Sequence, residues 1–299
     1  MRSTSNPVFR NLQPQQGGYA GFGSAPGAGQ NPNDPYGQQS PQQYPGYGYQ
    51  QPYQQPAVPT TRPMTIDDVV QKTGITLGVT TLLAILSYAL TAGNHALALP
   101  FVLVGGLGGF VLAMIMTFGR KQDNPALVLS YAALEGLMLG AFSCLFTNVA
   151  FGGVGGSGLI AQAVLGTFGV FFGMLVVYKT GAIRVTPRLT RMIVGAMIGV
   201  LVLMLGNAIA AIFTSGGFGL RDGGTLSIIF SLVVIGVAAF SFLLDFDAAD
   251  QLIRAQAPEK AAWGVAFGLT VTLVWLYLEI LRLLSYFPYR YAADALLNT

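Results

Sequence analysis

Four acidic side chains sit where apolar sequence makes charge expensive. Glu135 follows Tyr-Ala-Ala-Leu in one hydrophobic run. Asp245 and Asp247 close another, Phe-Ser-Phe-Leu-Leu-Asp-Phe-Asp. Glu279 lies deep in a third, with Arg282 three residues on. At helical spacing Glu279 and Arg282 share a face and can pair. Ionisable groups in such surroundings cost on the order of 2.5–3.5 kcal/mol each at mid-bilayer, so they mark function by default. Clustered carboxylates in a dry site have two uses. They coordinate a hard cation through oxygen, or they share a proton because close like charges cannot both ionise. Either use makes a pH-sensitive ion site. Asp245, Asp247 and the nearby Asp250 also admit a plainer reading, as a helix end reaching an interface where charge is cheap. For Asp250 we adopt that reading.

The elements that carry these groups are long apolar runs. The chain has 299 residues, 53% hydrophobic and only 9% charged, against about 25% charged in a soluble domain. Runs of this length have no polar face for water. A helix needs about 20 apolar residues to cross the hydrocarbon, and seven stretches qualify: about 72–92, 97–118, 126–148, 158–178, 190–214, 226–246 and 263–287. Thr65-Ile-Asp-Asp68 ahead of the first has the form of a capped helix start. The expected class is an all-α membrane protein, a bundle of seven transmembrane helices over residues 63–299. Residues 1–62, dominated by Gln, Pro, Gly and Tyr, cannot offset their ordering entropy by burial and are read as a disordered tail.

Loop charge checks the count. Arg120 and Lys121 follow the second helix, Lys179, Arg184, Arg188 and Arg191 the fourth, and Arg254 and Lys260 the sixth. The alternate loops hold only Arg221. The positive-inside rule then places the tail in the cytoplasm and the C-terminus outside. Small-xxx-small spacings at Gly105/Gly109 and Gly195/Gly199 are expected to let helices approach closely.

Enzymatic chemistry is poorly provided for. The lone histidine, His95, falls in a short loop, which disfavours a Ser-His pair or a His-based metal site within the bundle. No nucleotide-binding loop or zinc-protease motif occurs, so no cofactor is expected. The net charge of +3 is too small and scattered for nucleic acid. No inverted repeat is evident, which argues against a small-solute transporter.

Three stretches resemble a known family. Ala132-Ala-Leu-Glu-Gly-Leu-Met-Leu-Gly140 resembles the glycine-rich third helix of the Bax inhibitor-1 family. Phe242-Leu-Leu-Asp-Phe-Asp-Ala-Ala-Asp-Gln-Leu-Ile253 resembles its acidic sixth-helix ending, and Trp275-Leu-Tyr-Leu-Glu-Ile-Leu-Arg-Leu-Leu284 its seventh helix. The three fall in family order, over roughly 65–287, and look most like the bacterial branch. The resemblance implies a central seventh helix, a bacterial plasma-membrane location and a pH-sensitive calcium leak gated by an acidic pair. Asp245 or Asp247 would supply the sixth-helix member and Glu279 the seventh, together forming a Ca²⁺ site, with Glu135 and Arg282 in support. A rival implication is a membrane-embedded regulator that binds another membrane protein, such as a membrane-anchored protease. Depth arithmetic bears on the pair. From a helix start near Trp263, Glu279 lies about 24 Å along the axis at 1.5 Å per residue, while Asp245 is placed near the cytoplasmic face. Either the seventh helix starts later, or Glu279 pairs elsewhere, with Glu135 nearer in depth.

Overall fold

The computed structural model describes residues 62–149, 156–214 and 217–297, all within one unit, Pro56–Thr299. The expected disordered tail, apart from Arg62, lies outside the described residues. The rest is helical: α1 (Ile66–Gly93), a 3₁₀ turn (His95–Leu97), α2 (Ala98–Phe118), α3 (Pro125–Val149), α4 (Gly156–Thr180), α5 (Pro187–Phe213), α6 (Thr225–Arg254) and α7 (Ala261–Leu297). Seven of these helices are long and apolar enough to cross a membrane.

Local chemistry sets several boundaries. Thr65 caps α1 reciprocally with Asp68, each side chain bonding the other's backbone N–H, as a capping box should. Thr186 caps α5, with Pro187 at the first helical position. Two expected helix ends fall short by more than two turns. The seventh helix runs past 287 to Leu297. The sixth helix does not end at 246 but continues to Arg254. Asp245 and Asp247 are therefore interior helix residues, and side chains bond both carboxylates.

The seventh helix is the hub, packing against α1, α3, α4 and α6. Its main cluster joins Leu269, Leu273 and Leu276 to Phe242 and Phe246 of α6 and to Met64 and Val69 at the start of α1. At the same end of the bundle, Arg62 forms a bidentate pair with Asp68 (2.6 and 2.9 Å) and also reaches Glu259 (3.3 Å). The buried Lys72 ammonium donates to the Glu259 carbonyl (2.8 Å) and carboxylate (3.3 Å). The backbone of 62–64 bonds to Ala257 and Glu259 in the α6–α7 turn. Charges from two ends of the sequence thus tie α1 to the α6–α7 hairpin.

Glycine sets the closest helix contacts. A Cβ on Gly140 of α3 would collide with the Ala84 carbonyl oxygen of α1 and lie 2.7 Å from the Ser87 Cβ. Gly105 of α2 is equally close to α3, 2.5 Å from the Leu134 carbonyl. Gly195 and Gly199, expected to serve the same purpose, face open space, because α5 packs chiefly on α6 and turns that stripe outward. Two substitutions separate the roles. Gly140→Ala should cost about 1–3 kcal/mol or more as overpacking. Gly195→Ala should be neutral, or stabilising by up to about 1 kcal/mol through helix propensity. Thermal unfolding midpoints of the two variants in detergent micelles check the contrast.

Candidate functional site

The α7 helix positions the site. Gly268, Thr272 and Glu279 lie on one strip of it, since residues seven apart return to nearly the same face. Opposite Thr272 stands Asp245 of α6. The Thr272 hydroxyl donates to Asp245 Oδ2 at 2.7 Å. Gly268 faces the other oxygen, and a Cβ there would make an ordinary 3.8 Å contact with Oδ1. Asp245 borders a cavity of about 420 Å³ between the α2–α3 loop and the first turns of α7, whose lining includes Arg120, Gln122, Asp123, Gly264 and Gly268. Lys260 pairs with Asp123 beside it (3.1 Å).

Asp247 does not join Asp245. Two residues on, it points across α6 towards α4, where the Tyr178 hydroxyl makes a long 3.5 Å bond to it and Gln251 donates at 2.6 Å. Asp250 is similarly occupied, by Arg254 at 2.8 Å. The helical turn of 100° per residue sends Asp245 towards α7, while Asp247 and Asp250 both come within 3.5 Å of the Tyr178 hydroxyl of α4.

Glu279 is almost fully buried, at 2% exposure. Its Oε1 accepts from Arg282 Nη1 (2.9 Å) on its own helix and from Arg221 Nη2 (3.1 Å). Arg221 comes from the α5–α6 loop. That loop is held in place by Asp222, whose carboxylate accepts from the Ser227 hydroxyl (2.7 Å) and the Gly224 amide (2.9 Å). The Ser227 bond, then the Gly224 bond, hold the Asp222 carboxyl below the usual carboxylate range. The Glu279 Oε2 is buried with no partner among the described residues.

The expected pair across α6 and α7 is not formed. Helix α7 begins at Ala261, not later. Thr272, which holds Asp245, and Glu279 are seven residues apart, or about 10 Å along the axis. Of the two alternatives, Glu279 pairs elsewhere, and with arginine rather than with Glu135. Glu135 is buried in the α2–α3 interface, where a Cβ on Gly109 would lie 3.0 Å from its Oε1. Its Oε2 has no partner among the described residues. A two-carboxylate Ca²⁺ site from Asp245 and Glu279 does not assemble in this conformation. Instead, two acidic stations stand in series along one strip of α7: Asp245 of α6, held by Thr272 against a cavity, and Glu279 of α7 itself, between two arginines.

Arg221 was the residue hardest to foresee. In sequence it is the lone basic residue of its loop, beside Asp222. The only hint is the run of glycines around it, of which Gly217, Gly219 and Gly223 adopt positive φ, a conformation that suits glycine and folds the loop inward. Thr272 was equally hidden as one hydroxyl in an apolar run.

Because both arginines donate to one oxygen, their losses should be coupled. Arg221→Ala or Arg282→Ala alone leaves Glu279 one cationic partner. The double variant leaves a buried charge unpaired, a state worth about 3–5 kcal/mol in other proteins. A double-mutant cycle on unfolding in micelles should therefore give a coupling of about 1 kcal/mol or more. Adding Glu279→Gln to the double variant should recover part of the loss. Strict additivity would mean the two contacts are independent.

Comparison with known proteins agrees with this architecture. A search of curated proteins finds no match to the chain. A family model described as Bax inhibitor 1 like matches residues 6–289, reaching well beyond the three motifs into the tail. Seven apolar helices, four of them packed on the last, and a match over nearly the whole length place this chain in the Bax inhibitor 1 like family.

Proposed function

We propose that this protein is a proton-sensitive cation leak, with Ca²⁺ the permeant ion, seated in a bacterial plasma membrane with its N-terminus in the cytoplasm. The reading is one of transport, not catalysis, and needs no cofactor. The alternation of basic loops supports the orientation, and places the Asp245 cavity at the cytoplasmic end.

One observation carries the proposal: Asp245 of α6 borders a cavity of about 420 Å³, and Glu279, two turns along α7 from the Thr272 that holds Asp245, is pinned by two arginines. A cation entering past Asp123 meets the carboxylate of Asp245. A single carboxylate without a full oxygen cage binds weakly enough to release the ion, as conduction requires. Further travel is opposed by Arg221 and Arg282, whose combined charge exceeds that of Glu279. The conformation described is then the closed one, and opening requires Arg221 to leave. Protons compete with the cation for Asp245, so flux through an open path should fall as pH falls.

Ca²⁺ flux into proteoliposomes tests this. Asp245→Asn should lower flux towards that of empty vesicles. Arg221→Gln leaves a neutral Glu279–Arg282 pair and should raise flux about tenfold, equivalent to roughly 1.4 kcal/mol. Wild-type flux equal to empty vesicles between pH 6 and 8, or flux indifferent to both substitutions, would remove the leak from consideration.

A further inference from the structure

A second cavity lies away from these carboxylates. It measures about 380 Å³ and is walled by α1, α3, α4 and α7. Its floor is α3 and α7, through Leu139, Ser143, Leu273, Val274 and Tyr277, and its side walls are α1 and α4. Each wall packs on α3 and α7 rather than extensively on the other. The slot therefore opens sideways, between α1 and α4, past the exposed Thr81, Ile85, Val164 and Phe168. Along α1 it runs from Leu77 to Tyr88, about 16 Å parallel to the helix axis.

Its chemistry is more apolar than its composition. Six hydroxyl side chains line it, but four are already spent. Thr80 and Thr167 donate to carbonyls one turn back on their own helices (3.0 and 2.7 Å). Ser143 donates to the Leu139 carbonyl (2.6 Å), so the Tyr277 hydroxyl, 2.8 Å from Ser143 Oγ, is the donor between those two. A water needs two to four polar partners to reside in a cavity, and apolar cavities stay dry. This slot offers few such partners and is more than twice the roughly 150 Å³ that accommodates a benzene ring in other proteins. An empty void of that size forfeits dispersion contacts along its whole lining.

We propose that the slot is a binding site for one acyl chain of a membrane phospholipid. Three features favour that occupant over a polar solute: the sideways opening along the middle turns of α1, the elongation parallel to the helices and hence to the lipid chains, and the internally satisfied hydroxyls. No hydrophobic gain separates this site from bulk lipid, so selectivity comes from filling the void. The proposal stands independently of the cation leak.

The test uses the full chain in nanodiscs containing a phosphatidylcholine with a photoactivatable diazirine at mid-chain. After irradiation, mass spectrometry maps the adducts. Lipid around the outside reaches the exposed Leu201 and Val202 of α5 but not the floor. Adducts on Tyr277 and Leu139 are therefore expected only if a chain enters the slot. Thr81→Phe and Val164→Phe, at the exposed mouth, should each abolish the floor adducts while α5 labelling persists, which also reports that the variant is folded and embedded. A floor without adducts beside a labelled α5 overturns the proposal. So does floor labelling that survives both substitutions, or labelling by a diazirine free fatty acid and not by the phospholipid.

Discussion

A peptide or hydroxyl group placed in hydrocarbon has no water to bond, and each one left unsatisfied costs several kcal/mol. Nearly every polar feature of this bundle is a response to that constraint. Thr76, Thr80 and Thr91 of α1 each donate to a carbonyl one turn earlier, and Thr270 of α7 does the same. Ser87 instead crosses to the Leu137 carbonyl of α3 at 2.6 Å. The same constraint governs the charges. Lys72 is buried because Glu259 takes its proton donors, and Glu279 because two guanidinium groups surround one of its oxygens.

Close helix approach supplies the rest of the cohesion, since lipid offers no hydrophobic drive between helices. Contact between α1 and α3 depends on Gly136 and Gly140, and contact between α2 and α3 on Gly105 and Gly109. Glu135 sits beside two of these positions, next to Gly136 in sequence and against Gly109 in space. The tight packing that brings α2 onto α3 is thus what shuts that carboxylate away from solvent. Its position follows from backbone spacing, whereas that of Glu279 follows from charge.

What the sequence made legible was whatever depends on one segment at a time. Hydropathy located seven spans, and helical spacing brought Glu279 and Arg282 onto one face, where they are 2.9 Å apart. Contacts between distant segments were not legible. Arg221 reaches Glu279 across 58 residues, and Thr272 reaches Asp245 across 27. The end of α6 was misplaced for a related reason. Aspartates read as interface residues while their partners were unknown, yet Thr272, Gln251 and Arg254 make them acceptable within a continuing helix. Gly195 and Gly199 show the converse. Small-xxx-small spacing permits close approach, but only a facing helix makes it happen.

The two acidic stations beside α7, Asp245 of α6 and Glu279 of α7, differ in the kind of partner, and that difference has consequences for what each can do. Asp245 is held by one neutral hydroxyl and borders a cavity. Among the described residues no direct ion pair compensates its negative charge, so an arriving cation finds a field to bind. Glu279 lies two turns deeper and already has two cations within 3.1 Å. A further cation there would meet net repulsion, in surroundings where charge interactions are screened little. One of its guanidinium groups belongs to the same helix and travels with it. The other is delivered by a loop whose glycines and Asp222 cap set its reach. Backbone motion that withdraws a cation from Glu279 without unwinding α7 is therefore motion of the α5–α6 loop, which makes the residues that shape that loop consequential for the charge balance at the carboxylate.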